Sequence, residues 1–205
     1  MVAFFQQNRQ NIYMRKIILA SSSPRRRDLL SQIGLKFEID PSNYQEDMTL
    51  GMKPAKLAEY LSLGKAKDVA QRHRDSIVIA ADTFCVLNGE LLGKPKTKNE
   101  AANMLQKLSG SVHSVITGFT IIDTLTNKQI SRSVETRVYF RKLSKKEINF
   151  YIASGDPMDK AGAYAVQNLG GIFVERIEGD YFNIMGLPIS PLCIELQKFG
   201  IDILE

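Results

Sequence analysis

Three hydroxyls and three arginines stand together in Ser21-Ser22-Ser23-Pro24-Arg25-Arg26-Arg27, directly after the apolar run Ile17-Ile18-Leu19-Ala20. That order predicts a buried strand, a hydroxyl-rich turn and a helix that opens on the arginines. Ser23 suits the N-cap, and Pro24 suits the first helical position, where a missing N–H is tolerated. Leu29, Leu30 and Ile33 then recur at helical spacing. A helix N-terminus is the positive end of the macrodipole, so cations crowded there are unfavourable until an anion joins them. With a phosphate in place, backbone N–H groups and guanidinium forks grip one ligand. The chemistry offered is phosphate binding. Its plain alternative is a solvated basic turn, partly neutralised by Asp28.

Asp82 comes second. It follows the apolar run of Ser76–Ala81, which predicts a strand covered on both faces. A carboxylate at the exit of such a strand lies where open α/β sheets place their ligand crevices. There it can hold a divalent cation or take a proton from water. It reads equally well as an Asx-type turn residue. Glu46 can supply a second oxygen ligand or be a surface acid. Lys65 on a predicted helix, Lys94 between Gly93 and Pro95, and Lys160 in a Gly155–Gln167 loop can each serve as a point charge for a polyphosphate. Singly, each also reads as a solvated lysine. His113 reads as a packed, hydrogen-bonded residue.

Several chemistries are excluded by motif. The chain has no G-x-x-x-x-G-K-[ST] and no G-x-G-x-x-G, hence neither a P-loop nor a dinucleotide fingerprint. There is no G-x-S-x-G elbow, and no Cys–His spacing that suits zinc. What remains suits metal-assisted attack of water on a phosphoanhydride, where positioning and charge neutralisation do most of the work.

The elements that must position these residues follow from periodicity and turn chemistry. After the opening strand and helix, Lys36–Ile39 predicts a short strand and Pro54–Gln71 a helix. Phe84–Leu87 and Glu90–Leu92 flank Asn88-Gly89, a strong hairpin signal. Lys98–Leu108 predicts an amphipathic helix ended by Gly110. Val112–Asp123 and Gln129–Phe140 predict two long strands, the second with one exposed face. Ser144-Lys-Lys-Glu147 is a capping box that opens a helix to Ala153. Gly171–Ile177 predicts a strand, Gly179-Asp180 a turn, and Ser190-Pro191 the cap of a last helix. The expected class is mixed α/β, with a twisted central sheet and flanking helices.

The chain has 205 residues, a net charge of +5 and no Trp. The charge suits an anionic partner, while the lack of a basic-aromatic platform argues against a stable nucleic-acid partner. No apolar run has the length of a membrane span. Cys85 and Cys193 are far apart, which points to reduced thiols and a cytoplasmic protein, with Cys85 in the core. Residues 1–14 are expected to be a variable N-terminal extension, and 15–205 a single domain.

In order along the chain, Leu19–Arg27, Ala81-Asp-Thr83, Gly93-Lys-Pro95, Leu108-Ser-Gly110 with His113–Thr117, Met158–Tyr164, and Gly179-Asp-Tyr181 with Met185–Pro188 resemble the Maf-like nucleoside triphosphate pyrophosphatases. The resemblance runs from about Lys16 to Ile201. It implies an elongated α/β fold shared with inosine triphosphate pyrophosphatases, with two lobes around a deep cleft. It also implies hydrolysis of a nucleoside triphosphate to the monophosphate and pyrophosphate with a divalent cation, Mg or Mn. By the same resemblance Asp82 is the proton acceptor that activates water, and Glu46 an acid near the metal. Ser21, Ser23, Arg26, Lys65 and Lys94 match positions that hold the triphosphate. Arg25, Thr83 and Gln167 match the branch that acts on dTTP and UTP, and an amide such as Gln167 can both donate to and accept from a pyrimidine edge. Asn168 departs from the pattern, since a glycine is usual there. The alternatives are a 7-methyl-GTP or non-standard purine substrate, or a nucleotide-binding regulator of cell division and septum formation. A homodimer is the assembly to be tested.

Overall fold

The computed structural model describes residues 15–204, so the expected extension over residues 1–14 lies outside the described residues. The elements run β1 (Lys16–Leu19), α1 (Pro24–Gln32), β2 (Glu38–Ile39), α2 (Pro54–Ala70), β3 (Ser76–Leu87), β4 (Glu90–Leu92), α3 (Lys98–Leu108), β5 (Val112–Asp123), β6 (Gln129–Phe140), α4 (Lys145–Ala153), β7 (Val174–Glu178), α5 (Tyr181–Met185) and α6 (Ile189–Gln197). Three short 3-10 turns lie between α4 and β7. The seven strands form one mixed sheet of order β2-β1-β3-β5-β6-β7, with β4 paired to β3 off that path. β1 is parallel to β2 and β3, and the other pairings are antiparallel.

Local sequence rules account for most element ends. Asn88 and Gly89 both take positive φ, as a tight two-residue hairpin requires. Both arms of the Ser144–Glu147 capping box are formed. β5 and β6 span the residues expected of them. Three expectations are corrected. The strand expected at Ser76–Ala81 does not stop before Asp82; β3 continues to Leu87 because β5 pairs with it from Ile77 to Val86. The strand expected from Gly171 starts at Val174, because its partner β6 ends at Phe140 and a 3-10 turn occupies Asn168–Phe173. The last helix starts at Ile189 rather than behind Ser190-Pro191, and Pro191 sits in its first turn, where no N–H is needed. Asp180 does more than turn the chain: its carboxylate accepts the Asn183 N–H at 3.1 Å and caps α5.

The two faces of the sheet are covered differently. Helix α2 lies along one face, packing Leu57, Leu61, Ala66 and Val69 over alternate residues of β3 such as Val78, Phe84 and Val86. The opposite face carries two separate clusters. One gathers α1 and α6 around Ile77, Ile79 and Ala81. The other gathers α3, α4 and the 3-10 turns around Cys85, Val115, Val138 and Phe140. The long strands run through both lobes, and a cleft lies between them.

Candidate active site

The cleft exists because one edge of β3 is only partly paired. β1 covers Ser76–Ile79 and β4 covers Cys85–Leu87 on that edge, leaving Ala80–Phe84 without a strand partner there. Neighbouring side chains of a strand point to opposite faces. Asp82 therefore turns toward α2 and Thr83 toward α1, and both reach the gap. The cavity there measures about 550 Å³.

Ser21, Ser23, Arg25, Arg26, Glu46, Lys65, Asp82, Thr83, Lys94, Lys160 and Gln167, the residues singled out in the sequence, all line this one cavity. Its basic side chains are Arg25, Arg26, Lys65, Lys94 and Lys160, set against the acids Glu46, Asp82 and Asp159. Five cations against three anions leave the wall net positive, as an anionic ligand needs.

On the α2 side, Lys65 Nζ donates to Asp82 Oδ1 at 2.5 Å and lies 2.7 Å from Glu46 Oε1. The other oxygen of Asp82, Oδ2, is buried and has no hydrogen-bond partner. Burial raises the Asp82 pKa above the ordinary carboxylate value, and Lys65 and Arg26 oppose that rise. A buried carboxylate with one committed oxygen and one free oxygen can accept a proton from water or ligate a cation.

On the α1 side, Arg26 donates through Nε to the Gly186 carbonyl at 2.9 Å, and through its terminal nitrogens to Ser21 Oγ at 3.1 Å and Thr83 Oγ1 at 3.0 Å. Burial pulls its pKa down, with nearby Asp82 opposing. Ser23 holds the N-cap position but its hydroxyl makes no cap bond, a correction to the expected capping role. Instead its N–H donates to Ser21 Oγ at 3.2 Å, which folds the turn.

The second lobe brings the remaining groups. The Gly93 carbonyl accepts the Gly162 N–H at 3.1 Å, which ties the Lys94 turn to the loop behind it. Lys160 Nζ lies 2.6 Å from Asp159 Oδ1, and Arg25 reaches Asp159 Oδ2 from across the cleft at 3.4 Å. Tyr164 lines the wall with its hydroxyl 2.8 Å from His113 Nε2, and both rings pack edge to face on Phe140. His113 is thus packed and hydrogen-bonded, as expected. The Cys85 thiol is buried and pushed up to about 12, so it is unreactive despite bordering the cavity.

The family model described as Maf-like protein matches residues 16–199. The chain belongs to the Maf-like family. A protein of Methanosarcina barkeri named dTTP/UTP pyrophosphatase is 50% identical over 193 residues, covering 94% of this chain and 98% of the relative. One of Pelotomaculum thermopropionicum with the same name is 47% identical, covering 93% of this chain and 100% of its own. The solved structure of a HAM1 protein from Coxiella burnetii shares the fold at 12% identity, with a TM-score of 0.50 and coverage of 90% of this chain and 100% of that one. No helix among the described residues is long and apolar enough to cross a membrane.

In this Maf-like chain the departure at Asn168 has a backbone explanation. Asn168 sits at φ 60°, the left-handed region that glycine adopts freely and asparagine tolerates best among other residues. The turn after Gln167 is therefore kept. Thr117, Asp159 and the Gly186 carbonyl went unassigned in the sequence. Each lies inside a quoted motif, and only the pairing of β3 with β5 and the meeting of the two lobes bring them to the site.

The divalent cation was weighed against the same geometry. No group of three or more His, Cys, Asp or Glu able to hold a metal occurs among the described residues. Asp82 and Glu46 offer two carboxylates, both also in contact with Lys65, so a cation held there would have to bring further oxygens with it, as Mg²⁺ does when it is bound through one or two carboxylates and substrate phosphates.

Proposed function

We propose that this chain is a pyrophosphatase that hydrolyses dTTP and UTP to the monophosphate and pyrophosphate. The observation that carries the reading is the free, buried Oδ2 of Asp82, set in a cavity whose lining is net positive. Arg26, with Ser21 beside it, grips the phosphates together with Lys94 and Lys160. Ser23 presents its free hydroxyl at the same helix end. Arg25 and Gln167 line the same cavity, where the amide of Gln167 would read a pyrimidine edge. Asp82 takes a proton from the attacking water, the new bond forms between that oxygen and the α-phosphorus, and the bond to the bridging oxygen breaks to release pyrophosphate. Lys65 holds the carboxylate in place through Oδ1. A divalent cation, Mg or Mn, held by Asp82 and Glu46 would neutralise phosphate charge as the leaving group departs. The names of the relatives at 47–50% identity support the choice of substrate, and the free thiols of Cys85 and Cys193 support a cytoplasmic setting.

The test is product analysis with Mg²⁺ or Mn²⁺ against dTTP, UTP, CTP, GTP, ITP and 7-methyl-GTP. Expected is monophosphate plus pyrophosphate from dTTP and UTP, with Asp82→Asn slower by about 10³-fold and still folded. Preferential turnover of 7-methyl-GTP or a purine would move the substrate. No turnover of any nucleotide would return the protein to a nucleotide-binding regulator.

A further inference from the structure

Behind the cavity a line of hydroxyls runs from the arginine into the sheet. Thr83 on β3 faces Thr117 on β5 directly in register, with their Oγ1 atoms 3.0 Å apart. Thr117 is fully buried, and its hydroxyl lies 3.0 Å from the main-chain carbonyl of Asn183, itself fully buried on α5.

The ends of this line favour one direction of donation. A carbonyl only accepts, so the Thr117 proton points to Asn183. Thr117 then accepts from Thr83 at 3.0 Å, and the other acceptor within reach of Thr83, the Gly186 carbonyl, lies farther off at 3.5 Å. Thr83 in turn accepts from Arg26, a group that only donates. The order is Arg26 N–H to Thr83, Thr83 O–H to Thr117, and Thr117 O–H to the Asn183 carbonyl. Consecutive bonds aligned this way polarise and strengthen one another. Arg26 makes no ion pair within the described residues; its nitrogens meet one carbonyl and two hydroxyls.

We infer that Thr117 is a positioning residue, which with Thr83 holds Arg26 aimed at the triphosphate. The inference rests on the pyrophosphatase reading and deepens it.

Thr117→Val keeps the shape and removes the acceptor for Thr83, and inorganic pyrophosphate is a probe that has no base. Expected in Thr117→Val is a fall in kcat/KM of about tenfold for dTTP and for UTP alike, the order of one charge-linked hydrogen bond. The ratio between the two nucleotides stays the same, and pyrophosphate inhibits correspondingly less well. Thr117→Ser restores all three values. Thr83→Val is the second variant, should Thr117→Val not fold, and the same pattern is expected of it. An altered dTTP to UTP ratio, or undiminished inhibition by pyrophosphate, would overturn the inference. If the wild type hydrolyses neither nucleotide, the pyrophosphatase reading fails. Calorimetric binding of pyrophosphate to wild type and Thr117→Val then still decides the hydroxyl line, equal affinities overturning it and weaker binding by the variant upholding it.

Discussion

Lys65 and Asp82 meet at 2.5 Å across the interface between α2 and β3, and the backbone of α2 reaches that close to the sheet only because residue 118 is glycine. Gly118 lies directly opposite Asp82 in the sheet register. A Cβ at Gly118 would sit 2.2 Å from the carbonyl carbon and oxygen of Ala58, one helical stretch before Lys65. Main-chain contact at this range has no side chain that could move aside.

Gly118→Ala is therefore expected to push α2 off the sheet. Overpacking of this kind costs about 3 kcal/mol, and the Lys65–Asp82 contact should loosen with it. Urea unfolding at matched protein concentration would read the loss directly. An unchanged midpoint would show that the helix does not rest on Gly118.

The raised pKa of Asp82 has a consequence for rate. A base must be deprotonated to act, so kcat/KM should climb with pH through an acid limb lying above the ordinary value of 3.8. For stability the sign is opposite. The native state holds the proton more tightly than the unfolded chain, so the Asp82 contribution is full below the unfolded pKa and is lost as pH rises through the native one. Lys65 opposes the shift, so Lys65→Met should slow the enzyme and move its acid limb to higher pH. A limb at the same pH in both proteins would detach it from this pair.

His113 makes the chain sensitive to mild acid. Burial lowers its pKa from 6.5 to about 4. Unfolded chains therefore take up a proton over that window while the native state does not, and stability falls as pH drops from about 6.5 toward 4. The loss is on the order of 3 kcal/mol by the end of the window. Denaturant midpoints between pH 7 and 4 should show this fall, and His113→Gln should flatten it. An equally steep fall in the variant would assign it to other groups.

Asp159 places a negative charge between two cations of the cleft. Lys160 and Arg25 hold its carboxyl below the usual value, although partial burial works against them. The Arg25 contact is long and its acid is exposed, so removing it should hardly change the melting temperature. Asp159→Asn should instead free Arg25 for phosphate, leave Lys160 on Asp156 alone, and lower KM for dTTP by about two- to fivefold, an advantage erased by added salt. A raised KM would mean that Asp159 orients its neighbours more than it competes with substrate.

What the sequence determined by itself was local or strongly patterned. The Asn88-Gly89 turn, the Ser144–Glu147 box, the spans of β5 and β6 and the strand, turn and helix over Ile17–Arg27 were all legible, since each depends on residues a few positions apart or on a strict alternation. The residues of the site were legible too, as separate short motifs, although their grouping into one cavity was not a matter of spacing.

The tertiary structure decided the rest through long-range pairing. Asp82 reads as a strand end because Asp disfavours strands, yet ten consecutive pairs with β5 carry β3 past it. The opening beside it belongs to the other edge, where β1 stops and β4 has not begun. Ser23 looks like a capping residue, but its hydroxyl stays free because the turn is held by Ser21. Arg25 meets Asp159 over a separation of 134 residues, and Thr83 meets Thr117 over 34. Contacts at such range depend on register and on the meeting of two lobes, which neither propensity nor periodicity encodes.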